Sequence, residues 1–406
     1  MIVKRIFSKP QPGLTQKTGK RLRRGIMIKI MHCADIHLDA PFTAHQPQKA
    51  QARRTELRGT FSSMMLWAKT NDIDIMLMAG DIFDCDYATK ETVALVVREF
   101  ASNPRCKFVI SPGNHDPFTD GGLYSRTDFP DNVYIFDSED LGKFSFDDVG
   151  NDHDRVDVYG YAFRSSRLER NPFAGKKPDV PDRINLLCAH GEYNNPLSDK
   201  CPIMAAEIRD SDFDYVALGH VHNSQAVEKL GNSHFGYSGC LEGRDFGECG
   251  HKGAIYAEIS KEEGRAEMSI RHVRFSKRRY EADKLDITGA SDAEDVIQRM
   301  KGFFTEKRYG SDTLLRVTLT GDVSPELRLN LAELEAVFAE QFFTIEVRDG
   351  TIPLYNAKLL ESDLTIRGAV YNRLLPMLRD GSPEERRRAA AALRVALAAL
   401  SGSDFQ

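Results

Sequence analysis

Three features of the sequence predict an α/β fold in which two sheets pack face to face with helices outside, followed by a smaller α+β unit and a helical tail. Short apolar runs alternate with helix-period segments from Met27 onward, the order that builds parallel sheets. Several of these runs stop abruptly at Gly, Asp, Asn or His, at the strand ends where open α/β sheets bind ligands. Strands then dominate to about residue 276, and a fresh strand–helix alternation begins near Lys284.

At 406 residues and 41% hydrophobic, the chain can bury one large core plus a second unit. Lys and Arg total 55 against 60 Asp and Glu, a net charge of -5, which excludes a broadly basic nucleic-acid surface and leaves such a partner to local patches or bound metal. No stretch approaches the roughly 18 consecutive apolar residues of a membrane span. No signal-peptide pattern opens the chain. The seven cysteines form no CxxC pair, which argues against a thiolate zinc site and for a reducing cytoplasm.

Residues 1–26 carry Lys4, Arg5, Lys9, Lys17, Lys20, Arg21, Arg23 and Arg24, no acidic residue and no periodicity. They read as a disordered tail, or as an over-extended start with Met27 as first residue. A first strand then runs to Asp35-Ile36-His37, and period-two geometry sets Asp35 and His37 on one face. A helix over about 49–69 has Leu57, Phe61, Met64, Met65 and Ala68 as its buried stripe. The apolar run from Ile75 reads as a fully buried parallel strand ending in Gly80-Asp81, and residues 89–102 as the next helix. Residues 107–110 are a strand that Pro112 and Gly113 end, leaving Asn114 and His115 on a loop at its tip.

Residues 117–155 read as irregular and acidic, 156–162 as a strand, and 164–181 as a surface loop able to face a polyanion. Two more buried strands end in His190-Gly191 and in Gly219-His220-Val221-His222. Further strands are expected over 234–239, 254–259 and 266–275. The chain divides into a tail (1–26), a large α/β domain (27–278), a small separate βαβαβ domain (279–355) and a helical segment (356–406). The small domain has strands near 285–288, 313–319 and 343–347, with helices over 292–307 and 325–340. In the tail, Ser382-Pro383-Glu384-Glu385 has the N-cap, first-position Pro and N3 Glu of a helix start.

The donors at strand ends are Asp35, His37, Asp81, Asn114, His190, His220 and His222. Carboxylate, amide oxygen and imidazole without thiolate suit Mn²⁺, Fe²⁺ or Zn²⁺ and poorly suit Ca²⁺. They are too many for one ion. With Asp81 shared they make two clusters, the arrangement that holds two ions about 3.5–4 Å apart for phosphoryl chemistry.

The order Asp-x-His, Gly-Asp-x-x-Asp, Gly-Asn-His-Asp, His-Gly and Gly-His-x-His resembles the calcineurin-like metallophosphoesterases over 27–276. The run His32 to Phe42 with Gly80-Asp81-Ile82-Phe83-Asp84 is most similar to the SbcD/YhaO-like DNA repair exonuclease branch. That resemblance implies a four-layer αββα sandwich with a capping domain and two divalent ions, most simply Mn²⁺. Asp35, His37, Asp81 and His222 would hold the first ion; Asp81, Asn114, His190 and His220 the second. A water bridging the ions would be deprotonated near neutral pH and attack phosphorus in line with the leaving oxygen. His115 is placed to protonate that oxygen, and Asp84 would orient the imidazole.

The resemblance further implies DNA as substrate and an SbcC-like coiled-coil ATPase as partner, with residues 356–406 as docking segment; a homodimer is also open. Arg164, Arg244, Tyr237 and Gly239 are candidate substrate contacts, Arg244 equally a structural ion pair. A phosphoprotein phosphatase is disfavoured, because that group carries an Arg after the second Asp where this chain has Cys85-Asp86. A small-molecule or cyclic-nucleotide phosphodiesterase stays open, as does a catalytically silent scaffold on the same fold.

Overall fold

The computed structural model describes residues 27–43, 46–85, 88–150, 154–324, 327–353 and 357–400. The basic segment 1–26 and the boundary at 355/356 lie outside the described residues. In chain order the elements are β1 (Ile28–Cys33), α1 (Pro47–Thr70), β2 (Ile75–Met78), α2 (Lys90–Ala101), β3 (Lys107–Ile110), α3 (Leu123–Arg126), β4 (Val133–Ile135), β5 (Gly142–Val149), β6 (Asp154–Gly160) and β7 (Ile184–His190). The short pair β8 (Glu192–Tyr193) and β9 (Pro202–Ile203) precedes α4 (Ala205–Ser211), β10 (Tyr215–Gly219), β11 (Glu228–Leu230), β12 (Ser233–Tyr237), β13 (Gly253–Glu262) and β14 (Arg265–Arg274). The smaller unit holds β15 (Arg279–Asp286), α5 (Ala293–Lys307), β16 (Thr313–Thr320), β17 (Asp322–Val323), α6 (Leu331–Phe338), β18 (Thr344–Asp349) and β19 (Ile352–Pro353). Helices α7 (Ala357–Ser362), α8 (Ile366–Asp380) and α9 (Pro383–Leu400) follow.

Two six-stranded sheets form the core, in the orders β14-β13-β1-β2-β3-β4 and β11-β12-β10-β7-β6-β5. Period-two geometry divides β1 between two apolar layers. Met31 and Cys33 pack with Leu57, Phe61 and Met64 of α1 and with Val96 and Phe100 of α2. Ile28 and Ile30 face the other way, against Val156, Val158, Leu186 and Ala217 of the second sheet. Burial on both faces is why these strands read as continuous apolar runs. The outer face of the second sheet is covered by Phe163, Phe173, Ile208 and Phe213, so the fourth layer of the sandwich is thin, with α4 as its one helix among the described residues. His32 joins the two sheets: Tyr215 Oη lies 3.0 Å from its Nδ1, and its Nε2 lies 3.1 Å from the Leu218 carbonyl.

Three expectations need correcting. Residues 117–155 are not irregular, since α3, β4 and β5 lie there; β5 is buried mainly through Phe146 and Val149 while Lys143, Ser145 and Asp147 point outward. Its acidic composition hides that alternation. Each sheet mixes directions: β13 returns antiparallel to β1, while β12 joins β10 in parallel. The small unit's first strand starts at Arg279 rather than near Leu285. Helix α6 spans only Leu331–Phe338, and the expected start at 325–326 lies outside the described residues. At α9 the reciprocal cap is in place, with Ser382 N donating to Glu385 Oε2 at 2.8 Å and Glu385 N to Ser382 Oγ at 3.3 Å.

Candidate metal centre

Strands β1, β2, β3, β7 and β10 all end at one edge of the sandwich, and their tips converge. The backbone there is forced: Asp35, His37 and Asp81 sit at φ near 50° and His220 at φ 107°. Non-glycine residues avoid that region, and a cluster of them marks strain held by surrounding structure at a functional site. Gly80, at φ 87°, and Gly113 let the strand tips approach: a Cβ at Gly113 would stand 2.2 Å from Asp81 Oδ1, and one at Gly80 2.3 Å from His190 Nδ1.

Asp81 is the shared member. Its Oδ2 lies 3.8 Å from His37 Nε2 on one side and 3.4 Å from His190 Nε2 on the other, while its Oδ1 accepts the His115 main-chain N–H at 2.9 Å. Asp35, His37 and His222 form one group whose ligand atoms converge; Asp35, Asp81 and His190 form a second. Asn114 Oδ1 is 3.0 Å from His190 Nε2, and the His220 ring lies 5.4 Å from that of His190. Both Asp35 oxygens accept the His220 main-chain N–H. Asp35, His37, Asp81 and His190 are buried, whereas Asn114, His115, His220 and His222 open to solvent.

Three of the imidazoles have a partner at Nδ1. His190 Nδ1 is 2.9 Å from the Ala79 carbonyl, His37 Nδ1 3.1 Å from Asp84 Oδ1, and His222 Nδ1 2.6 Å from Glu248 Oε1. Where Nδ1 holds the proton, Nε2 presents its lone pair inward; the Nε2 atoms of His37 and His222 stand 3.2 Å apart, and Arg244 Nη2 also reaches His222 Nδ1, at 2.7 Å. Two lone pairs at that distance repel unless a cation lies between them. Burial lowers His37 and His220 to about 4 and also lowers His190, so all three are neutral at pH 7. Burial and then the Asp81 charge push the Asp35 carboxyl up. Neutral imidazoles around buried carboxylates suit divalent metal.

Reasoning from sequence left three contacts misplaced and two residues unassigned. The Asp84 carboxylate faces His37 and Arg244; His115 Nδ1 meets the Asp84 main-chain carbonyl at 3.1 Å instead. Tyr237 is buried, its Oη donating to the Gly191 carbonyl and accepting from Tyr193 N, and Gly239 lies against the 222–224 backbone, so neither offers a substrate contact. Arg164 pairs with Asp120 and the Asp137 carbonyl at the surface, over the Phe118 ring. Arg244 is half-buried between Glu248 and Asp84, the ion-pair alternative.

The unassigned residues are carboxylates. Asp116 is buried and accepts the N–H groups of Asp81, Ile82, Phe83 and Gly113 and the Tyr124 hydroxyl, which fixes the Asp81 turn. Burial and the Asp81 charge raise it to about 7 despite those bonds. It closes the Gly-Asn-His-Asp quartet, so its position was visible although its work was not. Burial acts to raise Glu248 as well, but the hydrogen bond from His222 and the Arg244 charge hold it at about 2. Nothing in the sequence marks it, 26 positions from the imidazole it holds.

Residues 28–224 match the calcineurin-like phosphoesterase family. This stretch is a calcineurin-like phosphoesterase domain. All the convergent donors, and His115, fall inside it, while Arg244 and Glu248 lie beyond its end. The phosphoesterase domain and its flanks are similar to the uncharacterized metallophosphoesterase YhaO of Bacillus subtilis, 28% identical over 315 residues, covering 74% of this chain and 73% of that protein. They are also similar to the DNA double-strand break repair protein Mre11 of Methanopyrus kandleri, 24% identical over 308 residues, covering 70% of this chain and 65% of that protein. The domain is thus a metallophosphoesterase by family, and its donor set suits divalent metal. Among the described residues no helix is long and apolar enough to cross a membrane.

Proposed function

We propose that the protein is a two-metal phosphodiesterase acting on DNA ends, an exonuclease of DNA repair that uses Mn²⁺ in the cytoplasm. The observation that carries the chemistry is Asp81 Oδ2 standing between His37 and His190, with further donors on each side. Asp35, His37, Asp81 and His222 would hold one ion, and Asp81, Asn114, His190 and His220 the other. Two such ions, when bound, supply the Lewis acidity that activates water at neutral pH and offsets the charge of the phosphodiester. The chain's own groups do the rest. His115, exposed and fixed through Nδ1 by the Asp84 carbonyl, presents its Nε2 for proton delivery to the leaving oxygen. Asn114, His115, His220 and His222 form the solvent-facing side of the site, from which a phosphodiester would approach, and Arg164 would have to leave Asp120 to meet a phosphate.

DNA is favoured over a small phosphodiester by the likeness to a break-repair protein and by the extra unit after residue 278. The α8–α9 pair buries Tyr371, Leu393 and Leu397 but leaves Ile366 and Met377 exposed, as is Leu364 just before α8, which suits docking of an SbcC-like coiled-coil ATPase. Mn²⁺-dependent digestion of end-labelled duplex DNA is the test, with His115→Ala as control. Degradation from the ends by wild type, lost in the variant with metal retained, is expected. Cleavage of small phosphodiesters with intact DNA would favour the small-molecule reading, and a metal-free inert protein would favour a scaffold.

A further inference from the structure

The two halves of the metal centre are held by different parts of the chain. On the Asn114 and His190 side the tether is main chain from within the core, the Ala79 carbonyl. On the His37 and His222 side the tethers are carboxylates, Asp84 and Glu248, and Arg244 joins them: its Nη1 is 3.3 Å from Asp84 Oδ1 and its Nη2 3.1 Å from Glu248 Oε1. Arg244 and Glu248 belong to one loop, residues 241–250.

That loop has no regular structure of its own and is gripped from two sides. On the core side, buried Glu242 accepts Arg53 Nη2 at 2.9 Å and Thr60 Oγ1 at 2.7 Å, both from α1, and the Gly243 carbonyl accepts Arg53 Nη2 at 3.0 Å. On the small-unit side, Tyr280 of β15 donates its hydroxyl to the Arg244 carbonyl at 2.8 Å, and its carbonyl accepts Gly250 N at 2.8 Å. Phe246 at the loop's tip packs edge-on to Tyr280 and lies under Arg316 of β16, 3.9 Å from the guanidinium to the ring centroid. Seating of the small unit therefore fixes where Glu248 and Arg244 stand.

From this asymmetry we propose that Glu248 and Arg244 are positioning residues for one metal position, that of Asp35, His37 and His222, and that the small unit controls ion retention there through Tyr280 and the 241–250 loop. The other position is assembled by the core alone and is indifferent to the small unit. The proposal rests on the two-metal reading above. Its physical basis is that the partner on the far nitrogen of a ligating imidazole sets tautomer and aim, and its loss costs roughly 10–100-fold in metal affinity.

The test is titration of the full chain, stripped by chelator, with Mn²⁺ alone, resolving the two binding events in wild type, Glu248→Gln and Tyr280→Phe. Glu248→Gln is expected to weaken one event ~10–100-fold and leave the other within about two-fold. Tyr280→Phe, remote from every ligand, is expected to weaken the same event by a smaller factor at unchanged secondary structure. Equal weakening of both events, or of neither, overturns the proposal. Wild type that binds no pair of ions overturns the two-metal reading itself, a result distinct from either.

Discussion

The core and the small unit both set carboxylates at the ends of parallel strands, yet among the described residues only those of the core gather into candidate metal-ligand groups. Strand β15 ends in Asp286 and β18 in Asp349. Asp286 is exposed and spends its Oδ1 on the N–H and hydroxyl of Thr288; Asp349 does the same for Thr351. Such turns satisfy one carboxylate oxygen locally and leave the other in solvent, with no imidazole or second carboxylate gathered around it among the described residues. Asp35 and Asp81 are buried and accept the main-chain N–H groups of His220 and His115, and neutral imidazoles surround them. What marks a site is negative charge carried into the interior with no side-chain cation to meet it, not a carboxylate at a strand end.

The largest expected effect breaks this comparison directly. Asp81→Asn should lower Mn²⁺-dependent hydrolysis of an aryl phosphodiester by more than the ~100-fold cost of losing an outer partner. Asp286→Asn should leave both the rate and the denaturation midpoint essentially unchanged. Equal effects in steady-state rates and chemical denaturation would erase the distinction.

Gly113→Ala sharpens the role of close approach. Its Cβ would meet Asp81 Oδ1 at 2.2 Å and Asp81 N at 2.7 Å, so the strand tips must separate. A loss of about 1–3 kcal/mol in urea unfolding is expected together with a fall in activity; an unperturbed variant would mean the tips are not packed as described.

A smaller effect concerns pH and sits away from the ligands. Burial lowers His32 to about 3, far under its unfolded value near 6.5. As pH falls below 6.5 the unfolded chain takes a proton that the folded chain refuses, so stability present at neutral pH is lost toward pH 3. At pH 5 that amounts to about 2 kcal/mol, and in His32→Gln the loss between pH 7 and pH 5, measured on metal-free protein, should shrink by this much. An unchanged pH dependence would place the proton elsewhere.

Strands with both faces buried, such as Ile75–Met78, declare themselves as apolar runs, and the donors at their tips could be read directly. Strand Gly142–Val149 could not, because one-face burial left Asp147 and Asp148 outward and the composition resembled a loop. The same limit applies at the site. Donors come from strand ends and keep a local pattern, whereas the groups that aim them do not: Glu248 reaches His222 from a loop, and Arg53 reaches Glu242 across 189 positions. Distances of that kind exist only after folding. Arg244 and Tyr237 show the converse, since side chains that look available in the sequence are absorbed into packing or ion pairs.

The central claim is that Asp81 is shared between two neighbouring ions, and EPR of the chelator-stripped protein reloaded with Mn²⁺ tests it most directly. Two equivalents per chain with a spin-coupled spectrum, reduced to uncoupled or absent manganese in Asp81→Asn, is the predicted result. A single equivalent, or two ions with independent spectra in the wild type, would contradict it.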